Sequence, residues 1–427
     1  MSVIEHAFAR SVWDSRGRPT IEVEVVTSRA GGRAIAPAGA STGRHEAHER
    51  RDEDGRGVDA ACRAFHAEVA PLLVGRDVTD QTGIDRALVM LDGTPQKSRL
   101  GGNTLIATSL ALAHAAAADA REPLWRYLFQ RSESGSMRSG SAGDVSRLRL
   151  PVPEIQILGG GAHAHGRIDL QDFMVVPVRA PDWPTALRWC ADVYRAAGAL
   201  LAERGLLRGV ADEGGFFPEF EGNEAALALL TEAIERSGHR PAEDVAISID
   251  VAATQFYADG RYRLRADGVE LEPDAWIEQL ARWCRSFPIS LVEDPGAEDD
   301  GERFAAFRRA APQCKVVGDD LVVTRAERIR AAAAARQIDA ALIKPNQAGT
   351  VTEAAEALAA CRENGCLAIV SARSGETEDV SIVHLAVGWS APMLKVGSIT
   401  RGERTAKWNE GIRISERLGH PPLATID

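Results

Sequence analysis

The stretch "LAIVSARSGETED", Leu367 to Asp379, decides how this chain is read. An apolar run stops at Ser371, and charges and hydroxyls follow at once in Arg373, Ser374, Glu376, Thr377, Glu378 and Asp379. Such a strand is buried along its length and opens onto a polar surface at its C-terminal end. The same texture recurs throughout the chain beyond Leu150. The runs are "EIQIL" (154–158), "FMVVPV" (173–178), "VAISIDV" (245–251), "ISLVED" (289–294), "KVVGDD" (315–320), "AALIKPN" (340–346), "LAIVSAR" (367–373) and "MLKVG" (393–397). Ala-rich helical stretches lie between them. Eight such runs predict a closed β/α barrel, with a doubly wound open sheet as the alternative.

The ends of the runs carry the chemistry. Asp250, Glu293 with Asp294, and Asp319 with Asp320 close three successive runs. In a barrel all C-terminal strand ends share one face, so these carboxylates converge and would repel strongly. Oxygen-only donors with no Cys or His beside them point to a hard cation, Mg²⁺ rather than zinc. Lys344 and Lys395 emerge from apolar runs on the same rim. Burial and neighbouring cations are expected to lower a lysine there toward the range of a general base. Arg373 with Ser374 suits a phosphate, because a guanidinium pairs two oxygens at once.

Three loops add to this. "APAGASTGRHEA" (36–47) is Gly-rich, carries Ser41 and Thr42, and has the composition of a closing loop. "VADEGGFFPEF" (210–220) sets Asp212 and Glu213 before two glycines. "GGGAHAHGR" (159–167) carries His163 and His165, which on their own read as surface residues.

The chain has 427 residues, more than one ordinary core holds. The alternating "TIEVEVVT" (20–27) predicts a half-exposed strand, and helical patterns run over 58–73 and 103–118. The division expected is an α+β N-terminal capping domain over 1–131, a Ser/Gly-rich linker over 132–149 and the barrel over 150–427. A formal charge of −11 argues against a general nucleic-acid surface. The apolar stretch "LIATSLALAHAAAADA" holds His114 and ends in charge, which predicts a buried helix and no membrane span. Six scattered cysteines without a CxxC pair, and no leader-like apolar N-terminus, fit free thiols in a reducing cytoplasm.

From near its start to near its end the chain resembles the enolases, the Mg²⁺-dependent phosphopyruvate hydratases. The resemblance rests on "DSRGRPTIEVEV", "GASTGRHEA", "LPVPEIQILGGGAHA", "DEGGF", "DVAATQFY", "EDP", "VVGDDLVVT", "IKPNQAGTVTEA", "SARSGETED" and "LKVGSITRGERTAKWNE". It implies a β/α barrel whose second strand is antiparallel, so that Asp172 at the start of that strand faces the site. It also implies a homodimer and a small phosphorylated carboxylate substrate.

Residue by residue, Asp250, Glu293 and Asp319 match the ligands of a first Mg²⁺, and Ser41 matches a ligand of a second. Lys344 matches the base at C2 of 2-phosphoglycerate, and Glu213 the acid at the C3 hydroxyl. Lys395 matches a carboxylate-binding lysine, Arg373 and Ser374 match phosphate contacts, and His163 the histidine of the closing loop.

Three positions depart from the family pattern. Ala372 stands for a histidine, Asp172 for a glutamate and Ala162 for a serine. The departures predict an altered substrate pocket on an intact catalytic frame. They keep open an enolase-like enzyme forming carboxyphosphonoenolpyruvate for phosphonate antibiotics. A catalytically silent binding protein is the third reading, which the retained lysines and carboxylates oppose.

Overall fold

The computed structural model describes residues 2–133, 144–164 and 166–426. Most of the predicted 132–149 linker, and His165, lie outside the described residues. The chain begins with a three-stranded antiparallel sheet in the order β1 (Ile4–Trp13), β2 (Pro19–Thr27) and β3 (Gly31–Ile35). Only β2 was legible in the alternation. Helix Gly102–Asp119 packs across β2 and β3. The fit is close because β3 carries Gly32, where a Cβ would clash with the backbone of Ala115. The predicted 58–73 helix forms, but as an α segment (Asp59–Ala64), a π turn (Phe65–Val69) and a last α turn (Ala70–Leu73).

A closed eight-stranded barrel follows. Its strands are β4 (Val152–Gly159), β5 (Asp172–Val176) and β6 (Ala246–Asp250), then, after a small hairpin sheet of β7 (Tyr257–Ala258), β8 (Arg261–Leu264) and β9 (Val269–Leu271), β10 (Ile289–Glu293), β11 (Lys315–Gly318), β12 (Ala340–Ile343), β13 (Leu367–Ser371) and β14 (Met393–Gly397). All eight predicted runs form barrel strands. Their Val, Ile, Leu and Ala side chains, Val178 and Leu367 apart, are buried on both faces, which is why the runs read as nearly continuous and not alternating.

Strand β5 runs antiparallel to both neighbours, pairing Asp172 with Gly159 on β4 and with Asp250 on β6. The remaining pairs are parallel, and β14 closes on β4 with Lys395 beside Glu154. Reversal of β5 therefore puts its first residue on the rim where its neighbours end. Among the described residues no helix is long and apolar enough to cross a membrane.

The N-terminal unit is bound to the rim by polar contacts that sequence does not foretell. The backbone N–H of Ile35 donates to Asp379 Oδ2 at 2.9 Å, and Lys97 Nζ lies 2.7 Å from Glu353 Oε1. Asp85, fully buried, accepts from both the backbone and the hydroxyl of Thr352.

Candidate active site

Asp250 and Glu293 are the last residues of β6 and β10, and Asp319 and Lys344 directly follow β11 and β12. Arg373 stands two residues beyond β13, Lys395 lies in β14 and Asp172 opens β5. The rim thus gathers residues from seven strands. One cavity is lined by Ser41, His163, Asp172, Glu213, Asp250, Lys344, Arg373, Ser374 and Lys395. Glu293 and Asp319 are tied to its two lysines.

Lys395 holds the carboxylates together. Its Nζ is 2.7 Å from Glu293 Oε2, 3.4 Å from Asp250 Oδ2 and 3.9 Å from Asp172 Oδ2. Burial works to lower the pKa of this ammonium, but Glu293, Asp250 and Asp172 outweigh it and hold it well above the ordinary lysine value. Lys344 Nζ is bonded to Asp319 Oδ2. Here too burial is overcome, by Asp319, and the pKa is raised. The sequence-based expectation of depressed lysines is therefore corrected: each sits against carboxylates whose attraction exceeds the cost of burial.

The acids diverge in response. Burial and the nearby Asp250 push Glu293 well above the usual carboxylate range. Burial also acts to raise Asp319, yet its lysine partner brings it down. Three glutamine amides hold three of the rim carboxylates, a feature the sequence reading missed. Gln171 Nε2 donates to Asp250 Oδ2 at 2.9 Å and Gln347 Nε2 to Asp319 Oδ1 at 3.0 Å, while Gln156 Nε2 donates to Asp172 Oδ1. Nothing about an isolated glutamine in a strand or loop signals such a role.

Donor chemistry at this rim suits a hard cation. Asp250, Glu293 and Asp319 offer only oxygen, and Glu293 Oε1 is buried without a hydrogen-bond partner. Asp294, Asp319 and Asp320 form a second acidic group, with one oxygen from each within 4.8 Å of the others. Asp294 is already engaged, accepting from the backbone N–H of Asp319 at 2.9 Å and of Asp320 at 2.8 Å.

His163 is buried and lines the rim cavity, and is not a surface residue. Its Nδ1 lies 3.0 Å from Asp172 Oδ1 and its Nε2 3.8 Å from Glu213 Oε1. Burial alone would lower its pKa, but Asp172 and Glu213 raise it to about 9, so the ring is an imidazolium at neutral pH. Burial tends to raise Asp172, and His163 more than reverses it, to about 2. The imidazolium thus bridges Asp172 on β5 to Glu213 on its Gly-flanked loop.

The 36–47 loop is docked on this rim by Arg373. The guanidinium donates to Glu46 Oε2 at 3.1 Å, Asn346 Oδ1 at 3.0 Å and the Ser41 carbonyl at 2.8 Å. Gly39 passes so close to it that a Cβ would clash with Nη2. Ser374 Oγ accepts from the Ala40 backbone at 2.7 Å. Glu46 and Asn346 are further residues the sequence reading did not single out. Ala372 is buried, lines the cavity and donates its backbone N–H to the Lys395 carbonyl at 2.9 Å.

A larger cleft of about 420 Å³ opens beside Gly161, Ala162 and Gly166, lined by Gln255, Tyr257, Arg263 and Arg265. Arg263 is paired with Asp259 at 2.9 Å, and Asp169, which also lines the cleft, accepts from the backbone N–H groups of Arg265 at 2.8 Å and Ala266 at 3.0 Å. The lysines, Glu213 and the rim acids Asp172 and Asp250 meet at the smaller rim cavity.

Fold and site together define a capped β/α-barrel protein with two charged lysines set among carboxylates on the C-terminal face. Two family models match the chain: "Enolase, N-terminal domain" over residues 4–128 and "Enolase, C-terminal TIM barrel domain" over 147–423. It is 45% identical over 425 residues to a protein of Mycobacterium leprae (strain TN) named "Enolase", covering 98% of this chain and 96% of that one. The chain belongs to the enolase family.

Proposed function

We propose that this protein is a hydro-lyase that converts 2-phosphoglycerate to phosphoenolpyruvate and water. The observation that carries the reading is the meeting of Lys344 and Glu213 in one cavity with the Lys395–carboxylate nest. The name borne by the M. leprae relative favours it over the phosphonate analogue and over a silent protein.

A proton beside a carboxylate is very weakly acidic, because its removal puts a second negative charge on that group. Lys344 takes the C2 proton. Lys395 stays charged and stabilises the dianion. The departing C3 hydroxyl then takes a proton through Glu213, which draws it from the His163 imidazolium beside it. Arg373 and Ser374 receive the phosphate. Asp250, Glu293 and Asp319 would hold a divalent cation, Mg²⁺ by their oxygen-only chemistry, and Ser41 would serve a second one. Bound there, the metal would supply positive charge beside the developing dianion. A cation held by Asp319 would compete with Lys344 for that carboxylate, which would free the lysine to act as the base.

Residues 1–131 then act as a capping domain and 150–427 as the catalytic one. The six cysteines, all unpaired, suit a cytoplasmic setting. By resemblance, the working unit is a homodimer. The direct test is phosphoenolpyruvate formation from 2-phosphoglycerate with Mg²⁺, after chelation, and in Asp319→Ala. Turnover only with the metal, and none in the variant, is expected. Full activity after chelation overturns the metal assignment, and no product from the loaded protein overturns the reaction.

A further inference from the structure

A second, largely apolar cavity of about 30 Å³ lies behind the site cavity. Ser371 and Ala372 line both cavities, so two small side chains form the wall between them. On the far side stand Ile106 and Leu110 of the N-terminal unit and Leu385 of the barrel. The polar groups at its edge are already engaged. Asn346 accepts from Arg373 at 3.0 Å, Asp379 accepts from the Ile35 backbone at 2.9 Å, and the Ser381 hydroxyl is 2.7 Å from His114 Nε2. Lys407 Nζ is held by the Thr377 carbonyl at 3.0 Å and Glu376 Oε2 at 3.0 Å. Roughly 10–15 Å³ of such space suffices for one water, but a water needs polar partners, and none of these is free. The space suits one to three carbon atoms.

Resting on the elimination reading above, we infer that the site accepts a 2-phosphoglycerate homologue with a small alkyl group on C3, seated past Ala372 in this apolar space. Substrate chemistry selects C3. C1 is the carboxylate, and C2 must keep the hydrogen that is abstracted. C3 alone carries hydrogens that are not consumed. For the methyl homologue, 2-phospho-3-hydroxybutanoate, the C2–H and C3–O bonds break and the C2=C3 bond forms. The proton goes to Lys344, and the hydroxide leaves as water with a proton from Glu213.

The experiment compares kcat/KM for 2-phosphoglycerate and for its C3-methyl and C3-ethyl homologues in the Mg²⁺-loaded protein. It uses the intact chain and two variants of Leu110, which lies outside the site cavity. The methyl homologue is expected within about tenfold of 2-phosphoglycerate. A methylene in an apolar pocket is worth roughly 10–200-fold in discrimination. Leu110→Phe, which fills the space, is therefore expected to cut the methyl homologue by about tenfold or more while leaving 2-phosphoglycerate within about threefold. Leu110→Ala, which enlarges the space, is expected to improve the ethyl homologue relative to 2-phosphoglycerate, so the inference stays testable if Leu110→Phe does not fold. Rejection of the methyl homologue by a protein active on 2-phosphoglycerate overturns the inference alone. Equal effects of either variant on all three compounds also overturn it. No turnover of any of them overturns the elimination reading and this inference with it.

Discussion

Lys344 and Glu213 enter one cavity in opposite surroundings. Lys344 rests on Asp319, and Glu213 lies 3.8 Å from an imidazolium. A stepwise elimination needs a base for the first half and an acid for the second, so the two should separate by isotope exchange. Lys344→Ala is expected to abolish exchange of the C2 proton with solvent. Glu213→Gln should retain exchange but lose product formation by about 10²–10⁴-fold, the usual worth of a general acid. Equal loss of exchange in both, with fold and metal binding intact, would refute this division. Asp172 belongs to the same scale. It is one methylene shorter than the family's glutamate and still reaches both His163 and Gln156, which hold its carboxylate.

Strand ends, unlike isolated residues, need a device that fixes them relative to one another. Asp294 supplies it between β10 and β11. It takes a left-handed backbone conformation, with φ of 43°, directly after Glu293. Its two carboxylate oxygens accept the backbone N–H groups of Asp319 and Asp320. Each buried donor left unsatisfied costs about 1–3 kcal/mol. Asp294→Ala is therefore expected to destabilise the fold by about 2–6 kcal/mol and to weaken metal affinity through a displaced Asp319. Denaturant unfolding and metal titration check the two effects. Unchanged stability would show that other contacts hold these strand ends. Reversal of β5 works at the same scale, because a parallel β5 would put Asp172 on the opposite rim.

For the whole molecule, the seam between the cap and the barrel carries a pH dependence. His114 on helix Gly102–Asp119 and His384 on helix Ser381–Gly388 meet edge to face, with ring centroids 6.1 Å apart. Burial and His114 push His384 down to about 3, although Glu410 Oε1 is 3.5 Å from its Nε2. Burial likewise lowers His114. An unfolded histidine titrates near 6.5. Between about 3 and 6.5 His384 therefore binds more proton in the unfolded chain than in the folded one, and its own contribution to stability rises with pH. The contribution of His384 is fully present above about pH 6.5 and is lost as pH falls toward 3, at no more than about 1.4 kcal/mol per pH unit. Urea midpoints measured from pH 4 to 7 should rise more, or fall less, in the intact chain than in His384→Gln. An unchanged slope in the variant would assign the dependence to other groups.

Periodicity and strand-end polarity in the sequence determined the eight barrel strands, the rim on which Asp250, Glu293, Asp319, Lys344, Arg373 and Lys395 gather, and, through motif resemblance, the reversed second strand. These are local signals: an apolar run of strand length, and a charge that no buried strand tolerates unless it opens onto a site. Strands β1 and β3 gave no clean alternation, since β1 is an edge strand exposed at irregular positions. Tertiary structure alone decided the protonation of the site. Whether burial or a neighbouring carboxylate wins at Lys344 and Lys395 depends on distances of a few ångströms between residues far apart in the chain. The same holds for the three glutamines on the rim carboxylates, for Glu46 beneath Arg373, and for the apolar space behind Ala372. Each arises where separate strands or domains meet, and a hydrogen bond or a void between them leaves no periodic trace in either partner's sequence.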